Sequence, residues 1–265
     1  AIRQSRVIDN VVGTNKKSSS IGGLVGKATD VDIINSYSTA VITGKARLGG
    51  LVGEAERLQV KKSYFSGTIN GGDSYSTGAI VGAYHPGSGN PDVSLQGVFW
   101  TDASMKSIGM AIGDEVAEIS TYPGNVDDKN SRGISTAESM DKGTYRSYKG
   151  TNKFSITDTG GTRKNKYVWR IYDGSTTPLL KFFLKDATAS FESATVGFNG
   201  SEQGIAKADV TFGSADEVEI DTSLIHGAYA ARGTSVEVYK SDTSNLYSYD
   251  YDIGFDPQSE AALTI

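Results

Sequence analysis

Ile21-Gly22-Gly23-Leu24-Val25-Gly26 returns as Leu48-Gly49-Gly50-Leu51-Val52-Gly53, and a looser copy stands at Thr77-Gly78-Ala79-Ile80-Val81-Gly82. Gly23 and Gly50 are 27 residues apart, and Gly50 and Gly78 are 28 apart. A second echo keeps the interval. Ile34-Asn35-Ser36-Tyr37-Ser38 aligns with Lys61-Lys62-Ser63-Tyr64-Phe65, and Tyr37 to Tyr64 is again 27 residues. Two echoes in one register mark a tandem array, in which each unit buries its apolar residues only by stacking on the next. Leu24, Leu51 and Ile80 are expected to align as a buried ladder. The flanking glycines are expected to permit corners, through positive φ or close backbone approach.

The runs between these corners are short and β-branched (Val31-Asp32-Ile33-Ile34, Ala40-Val41-Ile42, Gly67-Thr68-Ile69), and Gly, Asn, Asp and Ser bound them. That is the pattern of strands and turns. The expected fold is all-β: a right-handed parallel β-helix, or solenoid, followed by a small β-sandwich or β-grasp-like domain. The right hand is the general rule for parallel crossovers. Ile2 to Gly13 reads as the second half of a truncated earlier unit. Leu95-Gln96-Gly97-Val98-Phe99-Trp100 stands where a third tyrosine echo belongs, delayed by the insertion His85-Pro86-Gly87-Ser88-Gly89-Asn90-Pro91.

Among 265 residues there is no cysteine, which leaves no disulfide framework and no thiolate chemistry. His85 and His226 are the two histidines, and their spacing supports neither a zinc site nor a Ser-His-Asp triad. A net charge of −5 argues against bulk nucleic-acid binding. No stretch reads as a signal peptide, a transmembrane span or a lipidation motif. The chain opens Ala1-Ile2-Arg3, without Met, as an internal fragment does.

Ser135 or Thr136 followed by Glu138 is a helix-start pattern, predicting one short helix. Tyr167 to Leu184 holds dense apolar strands about Asp173-Gly174 and is expected to cap the array. From about residue 187 the texture changes to short strands and turns. The expected domains are therefore 1–186, the solenoid with its cap, and 187–265, a small β domain.

Gly23-Leu24-Val25-Gly26 and Gly50-Leu51-Val52-Gly53, each followed by Ser-Tyr, resemble the GLUG repeat. That repeat occurs in large bacterial surface proteins such as filamentous haemagglutinin-like exoproteins, and in the non-catalytic region of some immunoglobulin A proteases. Trp169-Arg170-Ile171, Tyr172-Asp173-Gly174 and Pro178-Leu179-Leu180 are similar to the segment that follows such repeats. The resemblance spans roughly residues 5 to 184; its third copy departs, with Ala79 for Gly and Ile80 for Leu. It implies a secreted or cell-surface bacterial adhesin that attaches to a host or matrix glycan or surface protein, or that holds a biofilm together. It brings no catalytic residues, no cofactor and no membrane insertion, and it admits neighbouring domains or subunits of a longer fibre as partners. The competing expectations are a β-helix polysaccharide lyase or hydrolase and a non-catalytic spacer of a large surface protease.

Candidate ligand-binding residues follow from chemistry. Tyr247, Tyr249 and Tyr251 alternate with polar residues, which on a strand puts three rings on one face for stacking on sugars; the favoured alternative is that this face is the core of a small domain. His85 and Asn90 sit on the insertion, where repeat proteins often bind. Asp250, Asp252 and Asp256 invite a calcium reading but miss the spacing of known loops. Arg146, Arg163, Lys164, Lys166 and Arg170 form a basic cluster that could meet an acidic glycan. Lys61 and Lys62 are suited to protecting a strand edge. Asp30, Asp32, Glu54 and Glu56 are the array's acids nearest to a glycosidase-like pair.

Overall fold

The computed structural model describes residues 1–13, 19–71, 76–85, 93–102, 104–105, 108–111, 131–147, 153–161, 166–215, 217–256 and 259–265. The chain forms two compact units. The first is Ala1–Ser139 with Gly143–Phe154, and the second is Met140–Lys142 with Ser155–Ile265. The sequence texture predicts a border at 186/187. The observed one comes earlier because Tyr172, Leu179 and Leu184 pack with Ala187, Ile253 and Leu263 in the core of the second unit.

In the first unit the strands pair in parallel, each with its counterpart one repeat away. Val25–Ile34 pairs Val52–Phe65, which pairs Val81–Tyr84 and Val93–Trp100. Val11–Val12, Val41–Gly44 and Thr68–Gly71 make a second parallel stack. Ile21–Gly22, Leu48–Gly49 and Thr77–Gly78 make a third. The truncated early unit is present as expected: Ile2 faces Ile33, Arg6 faces Tyr37 and Val11 faces Ile42. The third copy pairs as its hexapeptide alignment has it, Thr77 with Leu48 and Gly78 with Gly49, which makes the second interval 29 residues, one more than the count from Gly50 to Gly78.

The apolar ladder forms, with Leu51 and Ile80 fully buried and Leu24 packed partly against them. Its backbone runs on too: Leu24 N–H donates to the Leu51 carbonyl at 2.9 Å, and Leu51 N–H to that of Ile80 at 3.1 Å. The Ser-Tyr echo forms two further columns. Tyr37 and Tyr64 stack with ring centroids 4.9 Å apart and planes 5° from parallel, which is the strand-to-strand distance itself, about 4.7–4.9 Å. Phe99 pairs with Tyr64 across the ladder, so the delayed third echo falls where it was expected. The serines beside them are buried, and each closes one backbone gap. Ser36 Oγ accepts from Ser5 N–H at 3.2 Å, Ser63 Oγ from Ser36 N–H at 3.1 Å, and Ser131 Oγ from Val98 N–H at 3.0 Å.

The hexapeptide glycines serve close approach and not positive φ. A methyl group on Gly49 would overlap the Val52 carbonyl and the Gly82 nitrogen; one on Gly50 would overlap the Ala79 carbonyl and the Phe65 ring. The left-handed corners belong to other residues. Gln4, Asn35, Lys62 and Gly97 occupy equivalent positions with φ of 45°, 50°, 49° and 63°. Asp30 and Arg57 form a second such pair, at 52° and 51°.

The predicted helix is present as Thr136–Ser139, opened by a capping box. Ser135 N–H donates to Glu138 Oε2 at 2.8 Å, and Glu138 N–H to Ser135 Oγ at 3.2 Å.

The second unit is built from small sheets of mixed pairing. Trp169–Arg170 lies antiparallel to Leu179–Leu180 about the Asp-Gly turn, where Gly174 has φ 75°. Lys185–Ser190 runs parallel to Tyr251–Phe255 and antiparallel to Thr211–Gly213. Val218-Glu219-Ile220, one of the β-branched runs in this part of the chain, forms no strand. Arg170, Lys181 and Asp252 meet inside this unit. Arg170 Nε and Lys181 Nζ each stand 3.0 Å from an Asp252 carboxylate oxygen, and all three side chains are buried. Tyr172 lies against the Arg170 guanidinium, 3.9 Å from its ring centroid, and donates its hydroxyl proton to the Tyr251 carbonyl at 2.6 Å.

Candidate functional site

The tyrosine row is only partly realised. Ser248 turns the chain: its hydroxyl donates to the Leu224 carbonyl at 2.7 Å and accepts from the Asp250 and Tyr251 N–H groups. The alternation therefore breaks between Tyr249 and Tyr251. Tyr251 is 2 % exposed and belongs to the core, where its hydroxyl accepts from Asp221 N–H at 3.0 Å. It is not available for sugar stacking, as the core alternative anticipated.

Tyr249 remains at the surface, Tyr247 is half-buried against the core, and both gain a partner that the sequence did not single out. His226 and Tyr247 exchange backbone hydrogen bonds of 2.8 and 3.1 Å. Gly227, at φ 91°, turns the chain directly afterwards. The three rings then converge: His226 to Tyr247 is 5.1 Å, His226 to Tyr249 is 6.4 Å, and Tyr247 to Tyr249 is 6.1 Å with planes at 86°. Tyr249 is 48 % exposed. Partial burial, with the neighbouring Tyr247 hydroxyl, raises the Tyr249 phenol above its ordinary value, so it stays a protonated donor. A ring face at right angles to a second ring, edged by hydroxyls and an imidazole, presents an apolar floor with polar rims. That is what a pyranose offers its binder in return.

His85 is placed by the array, at the end of the Val81–Tyr84 strand, with its Nε2 2.8 Å from Glu54 Oε1. Asn90 lies outside the described residues. Glu54 is the centre of a polar cluster absent from the sequence expectations. It is 3 % exposed, yet Lys27 Nζ reaches Oε1 at 2.8 Å, Arg47 Nη1 reaches Oε2 at 2.6 Å, and Ser20 Oγ donates to Oε2 at 2.7 Å. Burial alone would raise this carboxyl. Hydrogen bonds from Lys27, Ser20 and His85, with the Arg47 charge, outweigh it and bring the group down to about 2. Lys27 and Glu54 are register partners one repeat apart. Opposite charges at the repeat interval were the signal that could have found them. Asp30 and Arg57 obey the same rule, 27 residues apart and bonded through both carboxylate oxygens.

The other charged candidates are dispersed. Asp252 is engaged by Arg170 and Lys181, which removes it as a cation ligand. Asp250 and Asp256 are exposed. Among the described residues no group of three His, Asp or Glu side chains is arranged to hold a metal. Arg170 is buried and leaves the basic cluster, and Arg163 and Lys164 lie outside the described residues. Lys166 stands 6.0 Å from the Tyr167 ring centroid. Comparison of the chain with protein-family models, with curated proteins and with solved structures gives no match.

Proposed function

We propose that this chain is a non-catalytic, glycan-binding segment of a secreted or cell-surface bacterial adhesin of the GLUG-repeat kind. In this reading the first unit is a right-handed parallel β-solenoid, and the small β-sandwich-like unit after it carries the sugar contact. The parallel pairing of strands one repeat apart supports the solenoid. The observation that carries the binding reading is the group His226, Tyr247 and Tyr249, whose rings converge at the surface with Tyr247 packed partly against the core and Tyr249 exposed. Many weak contacts of this sort become firm attachment when copies are displayed together.

The hydrolase alternative needs one carboxyl that still holds its proton near the working pH, to act as general acid beside a second, ionised carboxylate. Glu54, brought down to about 2, is held away from that range. Asp30 is lowered as well, by its hydrogen bonds from Arg57.

The test is a glycan array followed by a degradation assay on every glycan retained. The intact chain is expected to retain a glycan and leave it uncut. Tyr249→Ala is expected to weaken retention about tenfold, the cost of about 1–2 kcal/mol for a lost aromatic platform. Cleavage of a retained glycan, or retention unchanged by Tyr249→Ala, overturns the reading.

A further inference from the structure

We infer that Lys27, Arg47 and His85 form a second ligand site on the first unit, a cradle for the carboxylate or sulfate groups of an acidic polysaccharide. The three side chains come from separate strands or corners and converge on one carboxylate, each within 2.6 to 2.8 Å. That carboxylate is 3 % exposed, while Lys27 is 62 %, His85 37 % and Arg47 31 % exposed. The acid is thus buried, while part of each of the three side chains around it reaches solvent. One buried negative charge cannot neutralise both Lys27 and Arg47, so the surface above Glu54 keeps an excess of positive charge.

Nor are the donors used up. Lys27 spends one contact on Glu54 and Arg47 one N–H, while an ammonium carries three donors and a guanidinium five. Glu54 acts as an anchor that fixes where the remaining donors point, which lowers the ordering cost of binding an anion. An ammonium and a guanidinium held on the two oxygens of one carboxylate suit an oxyanion with several acceptor oxygens. A nucleic acid is disfavoured because the chain as a whole carries a net charge of −5, which opposes the bulk phosphate attraction on which non-specific nucleic-acid binding relies, so an anion must be held by the local cluster.

This site rests on the first unit alone and stands or falls apart from the aromatic surface. The experiment measures binding of the intact chain, at low ionic strength, to heparin (sulfate and uronate), polygalacturonate (carboxylate only), neutral dextran and single-stranded DNA. Retention of at least one acidic polysaccharide, falling with added salt and absent for dextran, is expected. Lys27→Gln and Arg47→Gln should each weaken it about tenfold, the loss of one charged hydrogen bond. Lys185→Gln, which removes an equal charge from an exposed position in the second unit, should leave it unchanged. Lys27→Gln is the mild variant, since Arg47, His85 and Ser20 still hold Glu54 and circular dichroism should match the parent chain. Sulfate against carboxylate preference is read from heparin against polygalacturonate. No retention of either acid, equal retention of DNA, or equal loss in all three variants overturns the site.

Discussion

Glu54 shows how a single side chain couples folding to pH. Its carboxyl ionises near 2 in the folded chain and near 4.5 in the ordinary state. A group depressed on folding contributes stability that is fully present above 4.5 and is lost as pH falls through about 2. Glu54→Gln keeps the shape but cannot ionise, and it leaves Lys27 and Arg47 without their shared counter-charge. The variant should therefore be less stable than the parent at neutral pH, and the difference between them should shrink as the solution is taken down toward about 2. Urea midpoints of both chains across that range measure it. A difference that stays constant with pH would mean that the carboxylate is not the source.

At the scale of the element, the repeat works by giving each backbone gap its own closure. The serine column matters because a corner N–H turned away from the ladder has no strand partner, and a hydroxyl from the next repeat takes its place. Ser63→Ala removes the acceptor for Ser36 N–H, which is then buried without a partner. The expected cost is about 1–3 kcal/mol, read as a lower denaturant midpoint with unchanged slope. Ser63→Thr, which keeps the hydroxyl, should recover part of it.

This column also explains which parts of the element were legible beforehand. The Ser-Tyr echo was visible because two adjacent levels share both residue types, Ser36-Tyr37 and Ser63-Tyr64: Ser to close the corner, and Tyr to stack at the strand spacing, whereas the next level carries Val98-Phe99. The glycines were visible because close approach disfavours a side chain at Gly22, Gly23, Gly49, Gly50, Gly53 and Gly82, while the third copy admits Ala79. The left-handed corners at Asn35 and Lys62 were not, because four different residue types fill that column and no composition marks it. The aromatic surface was half legible. Tyr247 and Tyr249 lie in one run, but His226 reaches them through an antiparallel bridge from a distant segment, and the turn at Ser248 that withdraws Tyr251 depends on the Leu224 carbonyl.

For the whole molecule, two cores of different construction imply two separate patterns of sensitivity. The first unit is held by columns of like residues, so damage at one level is felt by the levels above and below. The second is centred on buried charge, with Arg170 and Lys181 sharing Asp252. Such a pair adds little over an apolar core, but losing one partner leaves buried charge uncompensated, at about 3–5 kcal/mol. Asp252→Ala strands two cations at once and should sit at the upper end of that range. Its effect should also be local, because the bonds it breaks and the Tyr172 hydroxyl network beside them all lie within the second unit. Amide hydrogen exchange resolves this. Protection in Asp252→Ala should fall across Lys185–Ser190 and Tyr251–Phe255 while Val25–Ile34 and Val52–Phe65 keep theirs. Equal loss in both sets would show one cooperative core, and the division at 154/155 would then have no energetic meaning. If the loss stays in the second unit, Glu54 and Asp252 are independent electrostatic centres, and acid titration of the first can be read without interference from the second.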